Sequence, residues 1–200
     1  SEKGYPVISS YNKDSKNKGF LKLSSLEPDL IFFTNPHNLT HKYYYEDAYL
    51  NYLTCYVPYH HEVVSYGGNE GQYNQDFHNS IWQIFAPHIF SKDAYKSSCS
   101  GGASHVTVSG YPSCEEFFYT GFEDVWKNQN KVKKRIIWAP HHTIEMDELP
   151  LSNFLRYSTL FVELVKNTRD SIQWAFKPHP VLKSKLYLHK DWGIEKTNLY

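Results

Sequence analysis

The chain has 200 residues, of which 17% are aromatic, and its 21 basic and 21 acidic side chains give a formal net charge of zero. This balance argues against a dedicated nucleic-acid binder, which usually carries a basic face. The aromatic content is enough to build a core and argues against disorder.

The spacing of the cysteines and the lengths of the apolar stretches indicate the cellular location of the protein. Cys55, Cys99 and Cys114 are far apart in the sequence and follow no CxxC pattern, so we predict reduced thiols and a cytoplasmic location. We expect neither a secretory signal nor a membrane-spanning stretch, because no segment has the required apolar run.

Short β-branched and aromatic runs alternate with longer segments of helical spacing. The strand predictions cover residues 5–9, 29–34, 53–57, 105–109, 135–139 and 172–177. Most of these runs are continuously apolar, which is typical of strands buried on both faces of a parallel sheet. The helix predictions cover residues 76–90, 113–127 and 152–166, the last with Ser152 as its N-cap. The alternation predicts an α/β fold with parallel Rossmann-like sheets.

Clusters of Pro, His, Gly or Tyr follow directly after most of the predicted strands. They are TNPH (34–37), PYHH (58–61), SGYP (109–112), APHH (139–142) and KPHP (177–180). Open parallel sheets bind ligands beyond the carboxyl ends of their strands. We therefore predict a polar crevice rich in imidazoles, in which His60 or His61 acts as a general base.

The remaining clusters favour contacts with phosphate. Lys177 and His179 share strand parity and can face one side, where they would stabilise negative charge. The predicted substrate-binding set also contains His141, His142, Thr143, Gly110 and Tyr111. Taken alone, each short cluster is also compatible with a solvated turn.

A metal site is the less favoured interpretation of the histidines. His37 and His41 have i, i+4 spacing, and the His-His pairs could supply zinc ligands. However, the chain has no HExxH motif, and Pro36 disfavours a regular helix around His37. We predict no metal and no cofactor.

The ordered set of strand-end motifs resembles a known enzyme family. The motifs are DLIFFTN (29–35), CYVPYHH (55–61), VTVSGYP (106–112), RIIWAPHH (135–142) and QWAFKPHP (173–180). Together they resemble the CDP-glycerol glycerophosphotransferase family of teichoic acid and capsule synthesis. The resemblance implies a GT-B architecture of two Rossmann-like lobes, with a front, acceptor-side lobe at residues 1–126 and a partial donor-nucleotide-binding lobe at 127–200.

The same resemblance implies a reaction. Glycerol phosphate would pass from CDP-glycerol to a hydroxyl of a lipid-linked or glycan acceptor, with release of CMP and without a required metal. His60 best matches the family's essential front-lobe histidine, with His61 as its neighbour, and His179 matches the essential donor-lobe histidine. The family's downstream Asp/Ser-rich donor motif is not found, so we expect these residues to be part of a longer enzyme. Peripheral contact with the inner face of the cell membrane would use other parts of that enzyme.

Two alternatives stay open. A related GT-B glycosyltransferase would use a nucleotide-sugar donor, which the strand-end motifs do not separate from CDP-glycerol. A non-catalytic carbohydrate-binding module would use aromatic stacking platforms, of which the tyrosine run at 43–45 is the obvious candidate. Packing within a helix is the favoured interpretation of that run.

Overall fold

The computed structural model describes residues 4–12, 19–37, 43–63, 68–121, 124–131, 133–145 and 151–200. The chain divides into two compact units, Ser1–Phe122 (unit 1) and Glu123–Tyr200 (unit 2). Each unit has its own parallel sheet with helices, so the α/β class expected from the sequence is confirmed.

Unit 1 contains a four-stranded parallel sheet and several short helices. Its elements in chain order are β1 (Tyr11–Asn12), β2 (Gly19–Phe20), a 3₁₀ turn (Leu23–Ser25), β3 (Leu30–Phe33), α1 (Tyr43–Asn51), β4 (Leu53–Tyr56), α2 (Gly68–Tyr73), α3 (Asp76–Ser80), β5 (Gln83–Ala86), α4 (Ile89–Ser98), β6 (Val106–Val108) and a 3₁₀ helix (Pro112–Phe118).

The strands of the main sheet follow one another in the order β3-β4-β5-β6 and are all parallel. Cys55 of β4 pairs with Phe32 of β3 on one side and with Gln83 of β5 on the other. β1 and β2 form a separate antiparallel pair. The four-stranded sheet is compatible with a Rossmann-like fold, and its carboxyl ends lie along one edge.

Aromatic rings fill the core of unit 1. Tyr45 of α1 stacks on Phe33 at 5.0 Å between ring centroids, and Phe77 of α3 meets Tyr56 of β4 edge-on at 5.1 Å. Ile84 of β5 is fully buried beside these rings. Part of the high aromatic content of the sequence is therefore used in packing, where each edge-to-face pair adds stability beyond its buried area.

The helix predicted over residues 76–90 is wrong beyond its first turn. The helix ends at Ser80, Ile81 has extended backbone, and β5 begins at Gln83. Short apolar runs do not distinguish helix from strand, and pairing with both β4 and β6 decides the matter here because it buries Ile84 and Ala86.

Two further elements differ from the predictions. Residues 5–9 form no strand and are exposed. The helix predicted over 113–127 is a 3₁₀ helix over Pro112–Phe118, and Gly121, with φ of 108°, has a left-handed backbone that does not continue a helix.

The tyrosine run lies at the start of α1, where Tyr45 is buried and the Tyr44 hydroxyl donates to the carbonyls of Ser10 and Leu21. Tyr44 and Tyr45 are thus used in packing, the interpretation that the sequence favoured.

Unit 2 has a smaller sheet and a separate core. Its elements are β7 (Lys134–Trp138), α5 (Phe154–Thr168), β8 (Ile172–Phe176), α6 (Leu182–Leu188) and α7 (Gly193–Leu199). β7 and β8 are parallel, with Ile136 opposite Trp174. Phe154, Leu182 and Leu186 are buried against Trp138. The helix predicted over 152–166 is confirmed, but its N-cap is Asn153, one residue beyond the predicted Ser152.

Across the described ranges, no helix has the length and apolar character needed to cross a membrane.

Candidate functional site

The carboxyl edge of the unit 1 sheet gathers imidazole and phenol rings from three different loops. His61 follows β4, His88 follows β5, and Tyr111 follows β6. The His61 ring lies 5.0 Å from the His88 ring and 5.3 Å from the Tyr111 ring. The predicted clustering of strand-end residues is thus seen for His61 and Tyr111, and His88 joins them from a segment that was expected to be helical.

His60 is half-buried and turned toward its own backbone. Its Nδ1 accepts a hydrogen bond from the Glu62 N–H at 3.0 Å. In a neutral imidazole with Nδ1 as acceptor, the proton resides on Nε2. Burial, together with the nearby charge of His37, lowers the pKa of His60. Because this hydrogen bond occupies the lone pair of Nδ1, a neutral His60 can donate a hydrogen bond from Nε2 but has no free lone pair to accept a proton.

The side chain of His61 is exposed, and its backbone carbonyl is held by a hydrogen bond from another loop. The Nε2 of His88 donates to the His61 carbonyl at 2.9 Å, while Nδ1 of His88 caps α4 by accepting from the Ser91 N–H. Among the described residues, the His61 side chain makes no hydrogen bond, so its ring remains available to a ligand.

Gly110 and Tyr111 connect the end of β6 to the end of β4. The Tyr111 hydroxyl donates to the carbonyl of Tyr59 at 2.8 Å. Gly110 has φ of 89°, a conformation that glycine adopts without strain. The Tyr111 hydroxyl thereby tethers the loop that carries His60 and His61, and its contact with a ligand stays a prediction.

Glu62 is a buried carboxyl group that the sequence patterns did not reveal. It is 5% exposed, has φ of 52°, and its Oε1 accepts from the Tyr95 hydroxyl at 3.0 Å. Its Oε2 is buried and has no partner within the described part of the chain. Burial raises the pKa of Glu62, and the hydrogen bonds of Ser91 and Tyr95 and the charge of His88 only partly oppose this.

We expect the variant Glu62→Gln to gain stability relative to the wild type as pH rises. Below the ordinary carboxyl pKa of 4.5 both folded and unfolded Glu62 are neutral. Above it, the unfolded chain ionises more readily than the folded one, so wild-type stability falls while glutamine stays neutral. Urea unfolding at several pH values measures the difference. The exposed control Glu116→Gln should change stability by less than about 0.5 kcal/mol at every pH, and a pH-independent difference for Glu62→Gln would contradict the prediction.

The carboxyl edge of the unit 2 sheet brings together the histidines of its two strand-end motifs. His141 and His142 follow β7, and His179 follows β8. The ring centroids are 4.3 Å apart for His141 and His142, 5.1 Å for His141 and His179, and 4.2 Å for His142 and His179. We call these residues the histidine cluster. All of them were expected at this edge, but their mutual contact was not.

Backbone hydrogen bonds fix the base of the histidine cluster. The His179 N–H donates to the Pro140 carbonyl at 3.0 Å, which extends the pairing of β7 and β8 by one more step. Nδ1 of His179 accepts from the Val181 N–H at 3.2 Å. A neutral His179 therefore carries its proton on Nε2.

Thr143 supports the cluster from behind. It is buried, its Oγ1 accepts from the Leu151 N–H at 3.1 Å, and Oγ1 also lies 3.0 Å from Nδ1 of His141. These hydrogen bonds engage its hydroxyl, and its contact with a ligand stays a prediction.

The electrostatics of the histidine cluster favour the neutral forms of His141 and His142. Burial lowers the pKa of His141 and of His142, and the charges of neighbouring histidines and Lys185 lower both further. Nδ1 of His142 is buried and has no hydrogen-bond partner among the described residues. Lys177 is exposed directly after β8, and its backbone N–H donates to the Trp138 carbonyl.

No protein-family model, no curated protein and no solved structure matches this chain.

Proposed function

We propose that this chain belongs to a GT-B-type transferase that moves glycerol phosphate from CDP-glycerol to a hydroxyl of a lipid-linked or glycan acceptor in bacterial surface-polymer synthesis. The observation that carries the proposal is the histidine cluster, in which APHH and KPHP meet at the carboxyl edge of one parallel sheet. Unit 1 would be the acceptor side and unit 2 the donor side. The reaction would take place in the cytoplasm, at the inner face of the membrane where a lipid-linked acceptor lies.

The donor side is suited to a diphosphate. The Val181 N–H at Nδ1 leaves the proton of a neutral His179 on Nε2, so His179 can donate a hydrogen bond to a phosphate oxygen. The exposed ammonium group of Lys177 follows the same strand. Phosphoryl transfer requires mostly positioning and stabilisation of charge, and these groups supply both to the leaving CMP.

The acceptor side requires a base, and the hydrogen bonds favour His61 over His60. The His60 Nδ1 is occupied by the Glu62 N–H, whereas the exposed His61 ring is available. His61 takes the proton of the acceptor hydroxyl, and the oxygen attacks the phosphorus that carries glycerol. The bond from that phosphorus to the bridging oxygen breaks, and CMP leaves with its electron pair.

The donor role is tested by titrating the protein with CDP-glycerol in a calorimeter. We expect His179→Ala to weaken binding by about 10- to 100-fold, the value of one hydrogen bond to a charged group. His179→Asn should lose affinity similarly yet keep the local fold, because an asparagine side chain can accept the Val181 N–H in the same turn. Lys190→Ala, which removes an exposed cation of the same unit, is the control.

Unchanged affinity in both His179 variants would remove the donor role of the cluster. Incubation with a panel of activated donors then separates the nucleotide-sugar alternative. Release of CMP from CDP-glycerol supports the proposal, whereas release of UMP or UDP from a UDP-sugar supports a glycosyltransferase.

A further inference from the structure

The histidine cluster has a property beyond hydrogen bonding to phosphate. One ring nitrogen from each of His141, His142 and His179 can be chosen so that all of them lie within 4.8 Å of one another. Each of these side chains is partly buried. Among the described residues, this is the one group of potential ligands that meets the geometry of a metal site.

We propose that the histidine cluster binds a divalent transition-metal cation, of which Zn²⁺ is the best match. Neutral imidazoles suit zinc, and sites with three protein ligands leave a fourth position for water or substrate. At the usual Zn–N distance of about 2.0–2.1 Å, tetrahedral ligand nitrogens lie about 3.4 Å apart. The nitrogens of the cluster, which lie within 4.8 Å of one another, would close to this spacing on binding.

The backbone around the cluster is already organised for such a site. The hydrogen bond from the His179 N–H to the Pro140 carbonyl holds the two strand ends together at 3.0 Å. Prolines at positions 140, 178 and 180 restrict the backbone next to the ligands. Metal sites are tuned by such supporting contacts, and Thr143 holds the His141 ring through Nδ1, which accepts from the Thr143 N–H at 3.4 Å and lies 3.0 Å from Oγ1. Coordination of His141 through Nε2 would move its proton to Nδ1, where Oγ1 can accept it.

Each ring can offer a lone pair. Nδ1 of His142 is buried without a partner, and a metal ion would satisfy it. His179 would coordinate through Nε2, so the cation would replace the hydrogen bond from Nε2 to phosphate; this moves the proton to Nδ1 and sacrifices the 3.2 Å hydrogen bond from Val181. The loss of the Val181 hydrogen bond is small beside the free energy with which structural protein sites hold zinc.

The open fourth coordination position would allow the cation to bind a phosphoryl oxygen. A phosphoryl oxygen is a hard anionic ligand, and a bound cation would polarise it and neutralise charge on a leaving phosphate. The inference departs from the metal-free reaction that the family resemblance implies. It rests on the geometry of the cluster and not on the proposed function, so the two can fail separately.

The test is zinc binding to the full chain after treatment with a chelator. Calorimetric titration with Zn²⁺ should show one site per chain, and X-ray absorption should show imidazole nitrogens at about 2.0–2.1 Å. His141→Asn, His142→Ala and His179→Asn should each weaken zinc binding by more than about 10-fold, the smallest loss typical of removing even a supporting group. His105→Gln, which replaces a histidine of unit 1, is the matched control and should bind zinc as the wild type does.

Two results would overturn the inference: no zinc binding by the folded wild-type chain, or an affinity that none of the cluster variants changes. Circular dichroism of each variant shows whether it has kept its fold. CDP-glycerol titrations with and without zinc separate the two proposals. Donor binding without zinc binding removes only the metal site, whereas zinc binding without donor binding removes only the proposed transferase.

Discussion

Replacing His61 by alanine should slow glycerol phosphate transfer by about 10²- to 10⁴-fold, the usual contribution of a general base. The acceptor hydroxyl must lose its proton as it attacks, and the exposed ring of His61 is the imidazole of the PYHH motif that can receive it. The donor contacts of unit 2 are unaffected by this change. Accordingly, kcat for CMP release should fall while the calorimetric affinity for CDP-glycerol stays the same.

The comparison variant is His60→Asn. Asparagine can accept the Glu62 N–H as Nδ1 of His60 does, so the loop should keep its shape. We expect this variant to retain most of the transfer rate. An inactive His60→Asn variant together with a fully active His61→Ala variant would contradict this assignment. The base would then be His60, and its ring would not be held in the tautomer that the Nδ1 hydrogen bond indicates.

The strands could largely be located from the sequence because their apolar runs are short and bounded by turn residues. β4 shows why, since Thr54, Cys55 and Tyr56 are buried in succession. β5 could not be located, because the run from Ile81 to Ala86 continues a helical pattern set by Phe77. Only pairing with strands distant in sequence separates the two, and local periodicity contains no such information.

The candidate site was predictable at the level of loops but not of side chains. Parallel strands place their carboxyl ends at one edge, so residues after β7 and β8 had to be neighbours. The direction of each ring depends on hydrogen bonds such as that from Val181 to His179. Glu62 was missed for the same reason: its burial arises from a left-handed backbone and from Tyr95, 33 residues away in the sequence.

His78 shows how differently two histidines of one unit can behave. It is completely buried, with ring centroids 5.8 Å from Tyr56 and 5.6 Å from Tyr95. Its Nδ1 accepts from the Gln75 N–H and caps α3, and its Nε2 is buried without a partner among the described residues. Burial, reinforced by the charges of His37 and His105, lowers its pKa to about 4. It is therefore a neutral core residue, unlike the exposed His61.

Acid should therefore destabilise unit 1 through His78. Above the ordinary histidine pKa of 6.5 the ring is neutral in both states, and as pH falls from 6.5 toward 4 only the unfolded chain binds the proton. This linkage lowers the free energy of unfolding by about 3 kcal/mol over that range. Urea denaturation, monitored by hydrogen exchange of the Tyr56 and Ile84 amides, measures this loss of stability within unit 1.

The variant His78→Gln isolates this effect. Glutamine is the usual partner at this position of a capping box, so it can accept the Gln75 N–H without titrating. We expect the variant to lose about 3 kcal/mol less stability than the wild type between pH 7 and pH 4. Equal losses in the two proteins would mean that the core admits a protonated His78, because unfolding would then no longer be the only way for this ring to gain its proton.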